Sequence, residues 1–91
     1  MTRVTWTASA LADLQKIRRY IADFNPRAAR ETAVELENAG NSLGSFPFRG
    51  RTVSGTHLRE WTLVYPYIIR YRLLPGDLVL ILRIRHGMRQ Q

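Results

Sequence analysis

The sequence contains no cysteine, which removes disulfide scaffolds, thiolate metal sites and cysteine nucleophiles together. Its two histidines, His57 and His86, come with no spaced carboxylate cluster, so they form no recognisable metal site, and no metal or cofactor is expected. No apolar run approaches the ~18 residues that span a bilayer. The start, Met1-Thr2-Arg3-Val4-Thr5-Trp6, lacks the apolar stretch of a signal peptide, so a cytoplasmic chain without membrane contact is expected. Glycine-rich phosphate loops are absent: the Gly50-Arg51 corner belongs to no strand-to-helix glycine motif. Ser42 and Ser45 have no histidine near them in sequence, so nothing supports a serine hydrolase. Acidic residues are scarce, seven Asp+Glu against fourteen Lys+Arg, and Lys16 is the single lysine.

The chain therefore carries a formal charge of +7 on 91 residues, almost all of it as arginine. A charge that large on a small domain points to a polyanionic or acidic partner, and guanidinium groups fork onto phosphate or carboxylate. Hydrophobic residues at 45% and charged residues at 23% are ordinary for a folded chain, and the length suffices for one core. A single domain over 1–91 is expected.

Residues 8–24 read as an amphipathic helix capped by Thr7, with Ala10, Leu14, Ile17, Ile21 and Phe24 along one side. Asn25-Pro26 is a joint, because proline suits the first turn of a new helix. The second helix spans about Pro26 to Leu43, with a small-residue seam of Ala29, Ala33, Leu36, Ala39-Gly40 and Leu43 suited to an αα-hairpin. Residues 44–51 read as a loop. Strands follow at His57–Val64, Tyr67–Leu74 and Leu78–His86, joined by turns at Tyr65-Pro66 and Pro75-Gly76, and Arg3–Trp6 adds a further strand. The fold class is α+β, in the order β-α-α-β-β-β, with two helices on one face of a mainly antiparallel sheet.

Alternation then divides the sheet. With Leu74 opposite Asp77, one face holds Leu58, Glu60, Thr62, Tyr67, Ile69, Tyr71, Leu73, Leu78, Leu80, Leu82 and Ile84, and is the one for the helices to cover. The other holds Arg59, Trp61, Leu63, Ile68, Arg70, Arg72, Val79, Ile81, Arg83 and Arg85. Five guanidinium groups among large apolar side chains suit a binding surface better than a core. Arg59 and Arg83 are expected to be exposed, so that Arg59→Glu or Arg83→Glu would leave the fold intact. His86 continues the covered side, opposite Tyr65.

These residues resemble the RelE/ParE superfamily of toxins from bacterial type II toxin–antitoxin modules. The likeness covers nearly the whole chain: Val4-Thr5-Trp6-Thr7, Ala10-Leu11-Ala12-Asp13-Leu14, Tyr20-Ile21-Ala22, Asn25-Pro26-Arg27-Ala28-Ala29, Phe46-Pro47, Gly50-Arg51, Leu58-Arg59-Glu60, Pro66 to Arg72, and Ile81 to Arg89. The resemblance implies a growth-inhibiting toxin neutralised by a cognate acidic antitoxin. It implies one of two targets: DNA gyrase, as for ParE-like members, or ribosome-bound mRNA, as for RelE-like nucleases. For the nuclease, Arg51, Arg59 and Arg83 would clamp phosphate and His86 would serve as acid or base. For either target the binding face would be Arg59, Trp61, Ile68, Arg70, Arg72, Ile81, Arg83 and Arg85. Ile68 stands where the nucleases that this chain resembles usually carry arginine, and no tyrosine follows His86, which favours the ParE-like branch. A basic nucleic-acid-binding module without toxicity is the third reading.

Overall fold

A computed structural model describes residues 2–88. Strand β1 (Arg3–Trp6) leads into helix α1 (Ala8–Ala22) and helix α2 (Pro26–Ser42), followed by β2 (Arg51–Thr52), β3 (Leu58–Trp61), β4 (Tyr67–Leu74) and β5 (Leu78–His86). The strands form one sheet in the order β1-β5-β4-β3-β2, parallel between β1 and β5 and antiparallel elsewhere. The two-residue strand β2 begins on the last residue of the segment that composition marks as loop. The strand expected over 57–64 is trimmed to its centre.

Both helices begin as their sequences dictate. The Thr7 hydroxyl accepts the Ala10 N–H at 3.0 Å, and the Asn25 side chain accepts the Ala28 N–H at 3.1 Å ahead of Pro26. Ala10, Leu14, Ala29, Leu36, Ala39 and Leu43 are buried along the expected seams. Phe24 lies beyond the end of α1 and is 76% exposed, so it does not join that face.

The sheet departs from simple alternation at two places on β5. The β4–β5 turn holds three residues rather than two: Gly76 and Asp77 both have positive φ, and Leu74 pairs with Leu78. Aspartate tolerates the left-handed region better than most residues. The extra residue shifts β5 by one, so Val79 and Ile81 join Tyr71 and Leu73 on the helix-covered face and become fully buried. A bulge follows, where Arg70 pairs with Arg83 but Tyr71 pairs with Ile81. It restores the parity, and Ile84 is buried as expected. Without it Arg83 would follow Ile81 into the core and Ile84 would face outward. Burying Ile84 contributes about 1.5–3 kcal/mol and an unpaired guanidinium in the core would cost more, which outweighs one disturbed ladder hydrogen bond at about 1 kcal/mol.

The N-terminal part of α1 completes the outer edge of β5 where β1 stops. The Thr7 N–H donates to the Ile81 carbonyl at 3.0 Å and the Thr7 hydroxyl to the Leu82 carbonyl at 3.0 Å. The buried Asp13 carboxylate accepts the Ile84 N–H at 2.9 Å and both arms of Arg83 at 2.7 and 3.1 Å. Hydrogen bonding to Asp13, and then its charge, raises the Arg83 pKa above its ordinary value.

A second lock joins β4 to the loop after α2. The Tyr71 hydroxyl donates to the Pro47 carbonyl at 2.8 Å and accepts the Gly50 N–H at 2.9 Å. A Cβ at position 50 would fall 2.6 Å from that oxygen, so the approach requires glycine. Burial pushes the Tyr71 pKa up; the Gly50 N–H and the positive charges of Arg59 and Arg49 offset part of the rise.

Two outcomes are expected. Asp13→Ala strands the Ile84 N–H and destabilises the chain by roughly 1–3 kcal/mol. Arg83→Ala costs less, because Asp13 keeps its backbone donor; urea unfolding of both variants checks the order. The folded state holds the Tyr71 proton more tightly than the unfolded chain, so this contribution is complete below about pH 10 and is lost as pH rises through the raised value. Denaturant midpoints above that pH should fall more steeply for the wild type than for Tyr71→Phe, with ultraviolet titration showing one fewer late phenol in the variant than in the wild type.

Candidate functional site

The face of the sheet turned away from the helices is organised by one carboxylate. Directly opposed residues share a face, which places Leu58 and Glu60 of β3 with Arg72 and Arg70 of β4, and Leu80 and Arg85 of β5 beside Arg72 and Ile68. Glu60 is 8% exposed although no helix covers it. Its Oε2 accepts Arg70 Nε at 3.0 Å and Nη2 at 2.6 Å, and Arg85 Nη1 at 3.4 Å; its Oε1 accepts Arg51 Nη2 at 3.3 Å. One negative charge thus orders three guanidinium groups drawn from β2, β4 and β5. Arg72 adds a fourth, and its Nε is buried with no hydrogen-bond partner among the described residues. Ile68, Arg70, Arg72 and Arg85 therefore share one surface, charged and partly apolar.

Of the other residues assigned to that surface by alternation, Arg83 opposes Arg70 and keeps its side, while Arg59, Trp61 and Ile81 lie elsewhere. Arg59 and Trp61 pair with Tyr71 and Ile69 and belong to the helix-covered side, where Trp61 packs on the core. Glu60 and Leu80 move the opposite way. Ile81 is fully buried. Arg83 is half-exposed, but its fork is committed to Asp13 on α1. The physical reason is the register: the β3–β4 pairing and the three-residue turn each move residues by one position, and a one-residue slip exchanges faces. Arg59 donates to the Phe48 and Gly50 carbonyls and Arg83 to Asp13, so glutamate at either place would disturb the fold. Arg83→Glu in particular would set a second carboxylate against Asp13.

The candidate phosphate clamp and proton donor are dispersed. Arg51 and Arg59 occupy opposite faces, because Arg51 pairs with Glu60 and Arg59 with Thr52. Arg59 Nη1 donates to the Gly50 carbonyl at 2.7 Å. His86 pairs with Tyr67, not with Tyr65; the two rings meet edge to face at 5.5 Å, and His86 Nδ1 accepts the Met88 N–H at 3.1 Å. The tail residues 89–91, including Arg89, lie outside the described residues. No group of three His, Asp or Glu placed to hold a metal occurs among the described residues, and no helix there is long and apolar enough to cross a membrane.

Two further features do not emerge from strand alternation. A groove of about 280 Å³ runs between the helices, with Leu14, Ala33 and Val34 as apolar lining and Arg18, Arg30 and Glu37 at its sides. The loop after α2 displays Phe46 and Phe48, with Arg49 lying 4.4 Å from both the Phe46 and Trp61 rings and Arg59 lying 5.1 Å from the Phe48 ring. The run Phe46-Pro47-Phe48-Arg49 is a visible signal for the second, since two aromatics flanking a proline next to arginine cannot all be core.

Known proteins resemble the chain over nearly its full length. It is 51% identical over 89 residues to "Toxin RelE2" of Caulobacter vibrioides, an alignment covering 98% of this chain and 99% of that one. It is 39% identical to "Toxin RelE1" of the same organism, covering 90% and 89%, and 35% identical to "Putative toxin Y4kP" of Sinorhizobium fredii, covering 97% and 91%. A solved structure titled "Chromosomal ParDE TA system from P. aeruginosa" superposes with a TM-score of 0.80 at 27% identity, covering 94% of this chain and 96% of that one. A family model described as "ParE toxin of type II toxin-antitoxin system, parDE" matches residues 4–91. With the two-helix, five-strand fold in place, these likenesses identify the chain as a member of the ParE toxin family, the toxin side of type II toxin–antitoxin systems.

Proposed function

We propose that the chain arrests growth by binding DNA gyrase, without bond-breaking chemistry of its own, and that an acidic antitoxin holds it inactive. The carrying observation is the dispersal of the groups that a ribonuclease would need. Attack of a ribose 2′-hydroxyl on phosphate calls for converging cations and an acid or base within hydrogen-bond reach. Here Arg51 and Arg59 are on opposite faces, Arg83 is bound to Asp13, and His86 accepts a backbone N–H through Nδ1. Binding asks less: a pre-ordered surface with apolar contact and directed charge, such as Ile68, Arg70, Arg72 and Arg85 supply.

The groove between α1 and α2 suits the antitoxin. Its apolar lining and flanking Arg18 and Arg30 fit an acidic amphipathic segment that orders as it binds.

The test is the purified chain added to gyrase with plasmid DNA and, in parallel, to an in vitro translation reaction. Lost supercoiling or trapped plasmid breaks, with transcripts intact, is the expected result. Transcripts cut only during translation, with gyrase unaffected, would overturn this reading in favour of a ribosome-dependent nuclease. Harmless expression in a bacterium lacking the antitoxin would leave a basic nucleic-acid-binding module.

A further inference from the structure

The loop at 46–50 and the adjoining end of β3 form a surface that neither the gyrase reading nor the proposed antitoxin groove uses. Its backbone is fixed from within. Tyr71 bonds both Pro47 and Gly50, the Arg49 N–H closes a turn onto the Phe46 carbonyl, and Arg59 bonds the Gly50 carbonyl. Its side chains nevertheless face outward: Phe46 is 57% exposed and Phe48 is 70% exposed. Two phenylalanines this exposed on an anchored loop leave much of the burial that either ring could gain unrealised.

The charges beside them are also unspent. Among the described residues, the carboxylates pair with Arg27, Arg51, Arg70, Arg83 and Arg85, and none pairs with Arg49 or Arg59. Arg49 donates to the Ser42 hydroxyl at 3.3 Å, and Arg59 donates to the Phe48 and Gly50 backbone carbonyls. Both lie against aromatic rings, which positions the guanidinium groups without neutralising them. The arrangement alternates ring and cation: Phe46, Arg49 and Trp61 in one stack, Phe48 and Arg59 in the next.

We infer that this loop binds a single-stranded nucleic acid, with unstacked bases on Phe46 and Phe48 and phosphates on Arg49 and Arg59. Rings supply sequence-tolerant stacking and guanidinium groups supply attraction to the backbone, the combination that single strands use and duplexes, whose bases are already stacked, cannot. A peptide that is acidic without apolar side chains would engage the arginines but leave the exposed rings without a role. The shared chemistry covers DNA and RNA, so both are tested.

Fluorescence anisotropy with labelled oligothymidylate, oligouridylate and a DNA duplex of equal length measures binding by the full chain. Phe48→Ala removes a solvent-facing ring and should weaken single-strand binding by about tenfold. Arg49→Gln should lower the slope of log affinity against log salt by about 0.7. Arg27→Gln, which removes the same charge from an exposed site on α2, should leave affinity nearly unchanged. Thermal melts confirm that each variant is folded, and Arg49→Gln carries the test if Phe48→Ala is not. The preferred strand, thymidylate or uridylate, identifies DNA or RNA. Equal affinity of wild type and Phe48→Ala, equal losses for Arg27→Gln and Arg49→Gln, or a preference for the duplex would each overturn the inference. So would a chain that binds polyglutamate but neither oligonucleotide, which would assign the surface to an acidic protein. None of these measurements involves gyrase, so failure of the gyrase reading leaves them unaffected.

Discussion

Asp13 brings a negative charge into a nearly dry corner between α1 and β5, and two donors meet it there. One is the Ile84 N–H, which has no strand beside it once β1 has ended; the other is the fork of Arg83. The carboxylate therefore satisfies the edge of β5 and draws the arginine out of the core line in the same contact. The bulge can exist because both of its awkward groups, an unpaired N–H and a guanidinium, have a partner on α1. The bulge in turn sets which side of the remainder of β5 is apolar. Helix placement, sheet parity and the identity of the outward-facing arginines all follow from it.

The helical half of the fold is legible because its signals are local. Thr7 and Asn25 are caps whose partners lie three residues away, and apolar spacing repeats every turn. The sheet is legible as strands but not as faces. Asp77 in a left-handed conformation lengthens the turn by one residue, and the bulge at Leu82–Arg83 inserts a second; together they shift β5 by two, one full strand period, so the faces agree again. Alternation accordingly places Ile84 correctly, while it sends Val79 and Ile81, between the two irregularities, to the wrong side. Nothing within β5 announces the bulge, since its cause is a carboxylate about seventy positions away in the chain.

The candidate site shows the same division. Ile68, Arg70, Arg72 and Arg85 share a surface because they lie on β4, or on β5 past the bulge, where the two irregularities have compensated. Arg59 and Trp61 do not, because Trp61 pairs with Ile69 rather than with Ile68 or Arg70. The aromatic loop is visible as composition, yet its geometry depends on the phenol of Tyr71, more than twenty residues further on. Sequence periodicity reports what a side chain's neighbours along one element are; it carries no information about a hydroxyl arriving from another strand.

The shared carboxylate of Glu60 has a consequence for how the outer face would meet a partner. Guanidinium side chains ordinarily surrender considerable rotamer freedom when a complex forms. Here that ordering is completed during folding, and the three arginines around Glu60 outnumber it, so the surface keeps excess positive potential in fixed positions. A visiting anion would compete with Glu60 for donors already aimed. Complexes on this face should consequently form with little rearrangement, and their lifetimes should shorten sharply as ionic strength rises.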